Sequence, residues 1–302
     1  MFNFATRKQM PITMRLKFEG QTHAIDANTL INALVHYQTV VNEANRQYGG
    51  GVRDVRLQVN AIEKGSFVID ISVVQDFIKQ LFSKDSVEYI SGLVAIVGGV
   101  YGLYKVFKGK PIKTKEDQAT AEKSVSLIIN GDVTIKNITN VYNQPIVREA
   151  ISKSVENADE DPHVEGFTIS KDKEDNNPVT FERRDFKSYI YDDFDNEDDI
   201  PDEREIDEVT TLTIVGLNFE KGSRWQFMYN GFKISIIVKD DALMKKIDEG
   251  ERFGKGDAIR VKLRRIQRYN KEYKAYENKS YKIIEFIEHV IHKEGDLFKN
   301  EE

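Results

Sequence analysis

The first quarter of the chain contains short runs in which apolar and polar side chains alternate. Residues 12–18, 55–61 and 67–73 each carry an apolar side chain at every second position, and 22–25 is compatible with a short return strand. A period of two is typical of a strand that buries one face. The pattern therefore predicts four strands, two on each side of a segment with a different period.

That central segment, residues 30–48, has the period of a helix, because its apolar side chains recur at steps of three and four. Asp26 precedes the segment and can cap its first turn. The glycines at 49–51 can end it, since glycine tolerates the left-handed conformation found there. The order strand, strand, helix, strand, strand predicts an N-terminal α+β domain over residues 1–75.

A strongly apolar, glycine-rich segment follows at residues 86–107, within a region, 76–115, that we predict to be helical. Most of its small side chains recur at every fourth position, which places them on one helix face where two backbones can approach closely. Each glycine destabilises a soluble helix by roughly 1 kcal/mol relative to alanine, so this composition indicates a role in association. The small residues are Ser91, Gly92, Ala95, Gly98, Gly99 and Gly102.

The same segment approaches the length of about 20 apolar residues that a helix needs to cross a bilayer. Tyr101 and Tyr104 are of a residue type enriched at membrane interfaces, and Lys105 can extend its side chain toward the headgroups. The lysines after Phe107, however, favour a cytoplasmic C-terminal side, which would leave the first domain outside without a signal peptide. Three interpretations stay open: a helix buried in a soluble oligomer, a helix lying against the membrane, and a helix inserted after a trigger.

The middle of the chain, residues 116–190, is predicted to be a small α+β unit. Apolar alternation over 125–138, around a central Asn-Gly pair, indicates a hairpin, because Asn-Gly is the strongest short hairpin signal. Pro145 fits the first position of a helix. Two further short strands are expected at 167–169 and 179–181.

Residues 191–208 form a strongly acidic block that we predict to be a mobile linker, because like charges repel and seldom pack. A calcium loop is the weaker interpretation, since the block lacks the glycine and the spacing of the calcium-binding helix-loop-helix motif. The block therefore separates the middle unit from a C-terminal domain.

The C-terminal domain, residues 209–302, is predicted to be an OB-like β-barrel. Five strands are expected, with a helix over 242–248 between the third and the fourth, and this element order is that of an OB-type barrel. The expected strands are 210–219, 224–229, 232–238, 258–269 and 281–289, and an Asn230-Gly231 turn is expected to join the second to the third. The last segment also fits helical spacing beyond its first half.

The fourth strand of this barrel and the turn after it interleave cations with tyrosines. Single-stranded nucleic acids favour that mixture, because cations bind phosphates and aromatic rings stack on bases. The candidate nucleic-acid-binding residues are Arg260, Lys262, Arg264, Arg265, Arg268, Tyr269, Lys271, Tyr273 and Lys274. Two other interpretations stay open, since the same run could meet acidic lipid headgroups or fold against the acidic block as an internal electrostatic clasp.

Composition and motifs narrow the function classes further. A net charge of −6 argues against a generally basic nucleic-acid binder, and the lack of cysteine excludes disulfides, thiolate zinc sites and cysteine nucleophiles. Neither a GxxxxGK[ST] phosphate loop nor a GxSxG elbow is present. Glu285, His289 and His292 would form a zinc set only on a helical tail, and we interpret His23 and His36 as structural residues. We expect no catalytic residues, no cofactor and no metal.

These features predict a non-enzymatic, self-assembling bacterial protein of overall α+β class. Because the N-terminus lacks an apolar signal-peptide core, we expect it in the cytoplasm, associated with the inner membrane. The layout is typical of a toxic or host-defence effector. The expected partners are further copies of the chain, inner-membrane lipid, single-stranded nucleic acid and an unidentified protein. The alternative hypothesis is a cytosolic nucleic-acid-binding protein that uses the basic strands of the barrel.

Overall fold

The computed structural model of the chain combines helices with two antiparallel sheets, which agrees with the predicted α+β class. It divides into two compact units that are described separately. The first unit comprises residues 1–48, 55–200 and 271–275, and the second comprises 49–54, 201–270 and 276–302. The structure describes residues 13–20, 25–49, 55–62, 67–75, 84–125, 133–171, 175, 178–192, 200–218, 223–238 and 241–291.

The first unit is built from a sheet and a group of helices. Its strands are β1 (Thr13–Glu19), β2 (Val55–Ile62), β3 (Phe67–Gln75), β4 (Gly166–Ser170) and β5 (Val179–Glu182). Its helices are α1 (Ala27–Gly49), α2 (Lys84–Phe107), α3 (Lys115–Val125), α4 (Ile135–Tyr142), α5 (Pro145–Glu160) and α6 (Phe186–Tyr189), the last preceded by a 3-10 turn at Arg183–Asp185.

β1 lies at the centre of the first sheet, whose strand order is β2-β3-β1-β4-β5. Its alternation is confirmed, because Met14, Leu16 and Phe18 are buried while the residues between them are partly exposed. β1 pairs antiparallel with β3 on one side and with β4 on the other, where Leu16 lies opposite Ile169. The predicted N-terminal domain and middle unit therefore share one sheet, and the apolar segment lies in the same compact unit.

The helix predicted over 30–48 is confirmed as α1, which also begins and ends close to the predicted caps. The backbone N–H of Asn28 donates to the Asp26 carboxylate at 2.8 Å, which satisfies a donor of the first turn. Tyr37, Val41 and Ala44 form part of the buried face of α1. The short strand predicted at 22–25 and the first residues of the helical region predicted over 76–115 lie largely outside the described residues.

The hairpin predicted over 125–138 is wrong at both of its described ends. Val125 is the last residue of α3, and the residues that follow Thr134 form α4. Thr134 and Asn137 make a reciprocal capping box, with the Thr134 N–H donating to Asn137 Oδ1 at 3.0 Å. That cap fixes the start of a helix, and the buried Ile138 and Val141 then hold it in the core. The central Asn-Gly pair lies outside the described residues.

The second unit contains a five-stranded antiparallel sheet with the order β10-β9-β6-β7-β8. Its elements are β6 (Glu203–Gly216), β7 (Arg224–Tyr229), β8 (Phe232–Ile237), α7 (Asp241–Asp248), β9 (Ala258–Asn270) and β10 (Ala275–Val290). Trp225, Phe227 and Ile236 lie at the centre of its core. Asn230 and Gly231, with φ of 52° and 78°, join β7 to β8, as the Asn-Gly signal predicts.

Two boundary predictions in the second unit change. The mobile linker predicted over 191–208 is wrong for its last six positions, because β6 begins at Glu203 and pairs with β9 along its length. The helical alternative for the tail is also wrong, because β10 is a continuous strand to Val290. Within the described strands, no pairing joins β8 to β10, so the sheet is open at that point.

Candidate functional site

Helix α2 contains the apolar segment on which the functional prediction depends. Among the described residues it is the one helix long and apolar enough to cross a membrane, yet 67% of its apolar window, Glu88–Phe107, is buried inside the protein. Leu93, Ile96 and Leu103 are fully buried. Most of α2 is therefore a core helix of the first unit.

Both tyrosines predicted to lie at a membrane interface are in this core. The hydroxyl of Tyr104 donates to the backbone carbonyl of Tyr189 at 2.7 Å. Tyr101 stacks on Tyr37, with ring centroids 6.2 Å apart, and meets the edge of Phe181. Burial raises the pKa of both hydroxyls well above the ordinary tyrosine value. These side chains serve intramolecular packing.

The inward-facing small residues of α2 allow close packing within the chain itself. A Cβ atom placed on Gly99 would lie 2.7 Å from the Ile138 side chain of α4, and one on Gly92 would lie 2.6 Å from the Tyr48 hydroxyl. Real Cβ atoms do not tolerate such distances, so a larger residue at either position requires the neighbouring side chain to move. Ala95 is also buried.

The remaining small residues face outward, together with the end of the helix. Ser91 is exposed, Gly98 and Gly102 are partly exposed, and Lys105 is exposed at the last turn. A Cβ atom placed on Gly98 would meet no heavy atom of the described residues within 4 Å. The predicted small-residue set is thus divided between the core and an outward face, which we define as Ser91, Gly98, Gly102 and Lys105.

The predicted nucleic-acid-binding cations lie on β9, where carboxylates already bind them. In the β6–β9 register, Asp207 lies opposite Arg264 and Glu203 lies opposite Arg268. Arg264 donates two hydrogen bonds to Asp207, at 2.6 and 2.9 Å, and these hold the pKa of that carboxyl below its usual value. The other pairs are Arg260 with Glu288, Lys262 with Asp207, Arg265 with Glu208, and Arg268 with Glu203.

One of these pairs is buried. Arg265 Nη2 lies 2.9 Å from Glu208 Oε2, and their side chains are 14% and 4% exposed. The hydroxyl of Tyr229 donates to the other oxygen of Glu208. The structure therefore fits the internal clasp among the open interpretations, since the end of the acidic block pairs with the basic strand.

The tyrosines of the predicted nucleic-acid-binding set differ in exposure. Tyr269 is buried and meets the edge of Tyr276, with centroids 5.3 Å apart. Lys271, Tyr273 and Lys274 lie in the turn between β9 and β10, where Tyr273 is exposed. The β9 face offers few of the uncommitted cations that phosphates would need.

The predicted zinc set is not brought together. His289 lies in β10 with Nδ1 2.9 Å from Glu251 and Nε2 3.2 Å from Asp257, and its ring is tilted against that of Phe253, with centroids 4.2 Å apart. Glu285 is exposed, and His292 lies outside the described residues. In the part of the chain that the structure describes, no group of three or more potential metal ligands occurs.

His36 is buried in the first unit, as expected for a structural histidine. Its Nδ1 has no hydrogen-bond partner among the described residues. Burial, assisted by the charge of Lys153, lowers the pKa of His36 to about 4. The ring is therefore neutral at physiological pH.

A polar pocket beside α1 and α5 was not predicted. It contains His163, whose Nδ1 lies 3.1 Å from the buried carboxylate of Asp161. The sequence signal was an Asp-Pro-His step immediately after α5, but nothing local indicated that α1 would close the other side.

Comparison with protein-family models, with curated proteins and with solved structures found no match for this chain.

Proposed function

We propose that this chain is a non-enzymatic, self-associating protein whose copies meet along the outward face of α2. The observation that supports this proposal is Gly98, a helical glycine with open space above it. Ser91 and Gly102 extend the same low surface along the helix. A second backbone can approach such a surface closely, as it does at other small-residue helix faces.

Nothing else in the described part of the chain explains why the residue at position 98 is glycine. It is not among the glycines with positive φ, and no neighbour excludes a larger side chain. Alanine would stabilise the helix there by roughly 1 kcal/mol. A glycine retained at this cost is accounted for by close contact with a second copy.

Assembly, rather than bilayer insertion, is the first step in this proposal. Insertion of α2 would leave the side chains that pack on it, such as Tyr37, Ile138 and Phe181, exposed to water, and burial of each such side chain contributes about 1.5–3 kcal/mol. Contact with the inner membrane and an effector role then belong to the assembled state.

For the second unit, we infer an OB-like barrel that is open between its third and fifth strands. The order β10-β9-β6-β7-β8 contains all the neighbour pairs of that barrel except the pair of its third and fifth strands, β8 and β10. Helix α7 lies between the third and fourth strands, as in an OB-type barrel. Because the β9 cations are bound by carboxylates, this inference concerns the fold and not nucleic-acid binding.

Two adjacent glycines provide the test. We expect Gly98→Leu to dissociate the full chain without lowering its free energy of unfolding, because the added side chain enters open space and leucine favours a helix over glycine. Gly99→Leu should instead lower the free energy of unfolding by roughly 1–3 kcal/mol, because it overpacks against Ile138. Sedimentation velocity gives the mass, and urea denaturation gives the stability.

Two results would overturn the proposal. The first is a wild-type chain that sediments as a monomer at its highest soluble concentration. The second is a Gly98→Leu variant that keeps the wild-type mass.

A further inference from the structure

The first unit contains a solvent-open pocket of about 320 Å³ between the start of α1 and the end of α5. None of the residues that line it belongs to α2, so the inference does not depend on the proposed self-association. The polar residues that line it include Asp26, Asn28, Asn32, Asn157, Glu160 and His163. Its volume falls within the range of small-molecule sites.

A buried carboxylate orients the histidine of this pocket. The side chain of Asp161 is fully buried, whereas that of His163 is 47% exposed. Burial by itself raises the pKa of Asp161, but donors from the backbone of Asp26 and His163 and from the side chains of His163 and Thr29 outweigh it and lower that pKa. Asp161 is therefore ionised and accepts from the ring.

That interaction fixes which nitrogen of His163 faces a ligand. A carboxylate only accepts hydrogen bonds, so Nδ1 carries the hydrogen in the Asp161–His163 pair. In the neutral ring, Nε2 then carries the lone pair and is an acceptor. This arrangement of a partly exposed imidazole held by a buried carboxylate also occurs where proteins position a base.

The loop that carries this pair is held from several sides. Arg183 Nη1 donates to the carbonyl of Asp161 and Nη2 to that of Asp159, both at 2.7 Å. The N–H of Glu165 donates to the carbonyl of Glu19 at 2.6 Å. A Cβ atom on Gly20 would collide with the carbonyl oxygen of His163, so the end of β1 packs directly on the loop.

The ligand-facing groups are rich in acceptors and carry no positive charge. Asp26 and Glu160 are exposed carboxylates at the rim, Asn32 and Asn157 are partly buried amides, and His163 offers its lone pair. Among the described residues that line the pocket, none is Lys or Arg. An anion would be repelled here, whereas an ammonium group can donate to several of these oxygens and to Nε2 at once.

We propose that this pocket binds a small organic amine, with Glu160 and Asp26 opposing its positive charge and His163 Nε2 accepting one of its hydrogens. Three probes of equal chain length separate charge from shape: butanediamine, butanediol and succinate. In isothermal titration calorimetry with the full chain, we expect saturable binding of one equivalent of butanediamine. Butanediol and succinate should give no saturable heat.

Matched variants locate the binding. Glu160→Gln should weaken the butanediamine affinity about tenfold, because a charge-assisted hydrogen bond becomes a neutral one. His163→Phe should weaken it about threefold by removing the acceptor while keeping a flat ring. The control is Glu156→Gln, since Glu156 lies one turn earlier on α5 and pairs with Lys153. It should leave the affinity unchanged.

Each contrary result would overturn the proposal. If butanediamine gives no saturable heat at millimolar concentration, the pocket is not an amine site. Equal binding of butanediol would show that charge is irrelevant. An equal loss in Glu156→Gln and Glu160→Gln would show general attraction to an acidic protein rather than a site.

Discussion

Helix α2 and the β6–β9 strand pair both have a sequence composition typical of a binding surface. In each, most of the side chains that suggest binding instead make contacts within the chain, but the contacts differ in kind. In α2, most apolar side chains are buried in the first unit, and only a narrow outward face remains. On the strand pair, the charged side chains stay near the surface and are matched by opposite charges. Burial contributes kilocalories per side chain, whereas an exposed ion pair contributes about 0–1 kcal/mol.

The largest expected effect concerns the core side of α2. Leu103→Ala should lower the free energy of unfolding by about 4 kcal/mol, because it removes a fully buried side chain and leaves a cavity. Val106→Ala, at a position that is 44% exposed, should change it by less than about 0.5 kcal/mol. Urea denaturation of the full chain measures both. Equal losses would mean that α2 is not oriented with Leu103 inward.

The next effect concerns the one buried pair on the strands. Arg265→Met should destabilise the chain by about 3 kcal/mol, because Glu208 is left buried without its cation. Arg268→Met, at an exposed pair with Glu203, should cost less than about 0.5 kcal/mol. The double variant Glu208→Leu/Arg265→Met should recover most of the loss. A double variant as unstable as the single one would show that the charge is not the cause.

The smallest effect follows from His36, which the first unit buries as a neutral ring. Because its pKa is lowered to about 4, the unfolded chain takes up the proton first as the pH falls below 6.5. Stability is therefore complete above that value and should fall by about 2 kcal/mol on going to about pH 5. Urea midpoints across this range measure the loss, and His36→Leu should flatten it. An unchanged slope in that variant would exclude His36 as the source.

Much of the fold could be predicted because its signals are local. Alternation located β1, the three-and-four spacing located α1, and the Asn230-Gly231 pair located a turn. The residues after Thr134 were predicted incorrectly because their β-branched pattern also fits a strand. The capping box between Thr134 and Asn137 favours the helix over the strand, but it does so only when the helix has a core against which its apolar face can pack.

The candidate sites were harder to predict because they depend on tertiary pairing. The small residues of α2 have the same spacing whether they face a core or a partner, so the sequence could not separate Gly99 from Gly98. The pairing of Asp207 with Arg264 requires the β6–β9 register. Asp161 and His163 become a site only when α1 lies beside the end of α5, which no local pattern specifies.

The support of the loop around His163 has a consequence for rates. Because Arg183, Glu19 and Gly20 already fix its backbone, this loop does not have to close on a molecule that enters the pocket. Association should then be governed by diffusion and by the loss of water from Glu160 and His163, without a slow conformational phase. Occupancy would follow rapid changes in the concentration of the small molecule, and the bound and free chains would have nearly the same backbone.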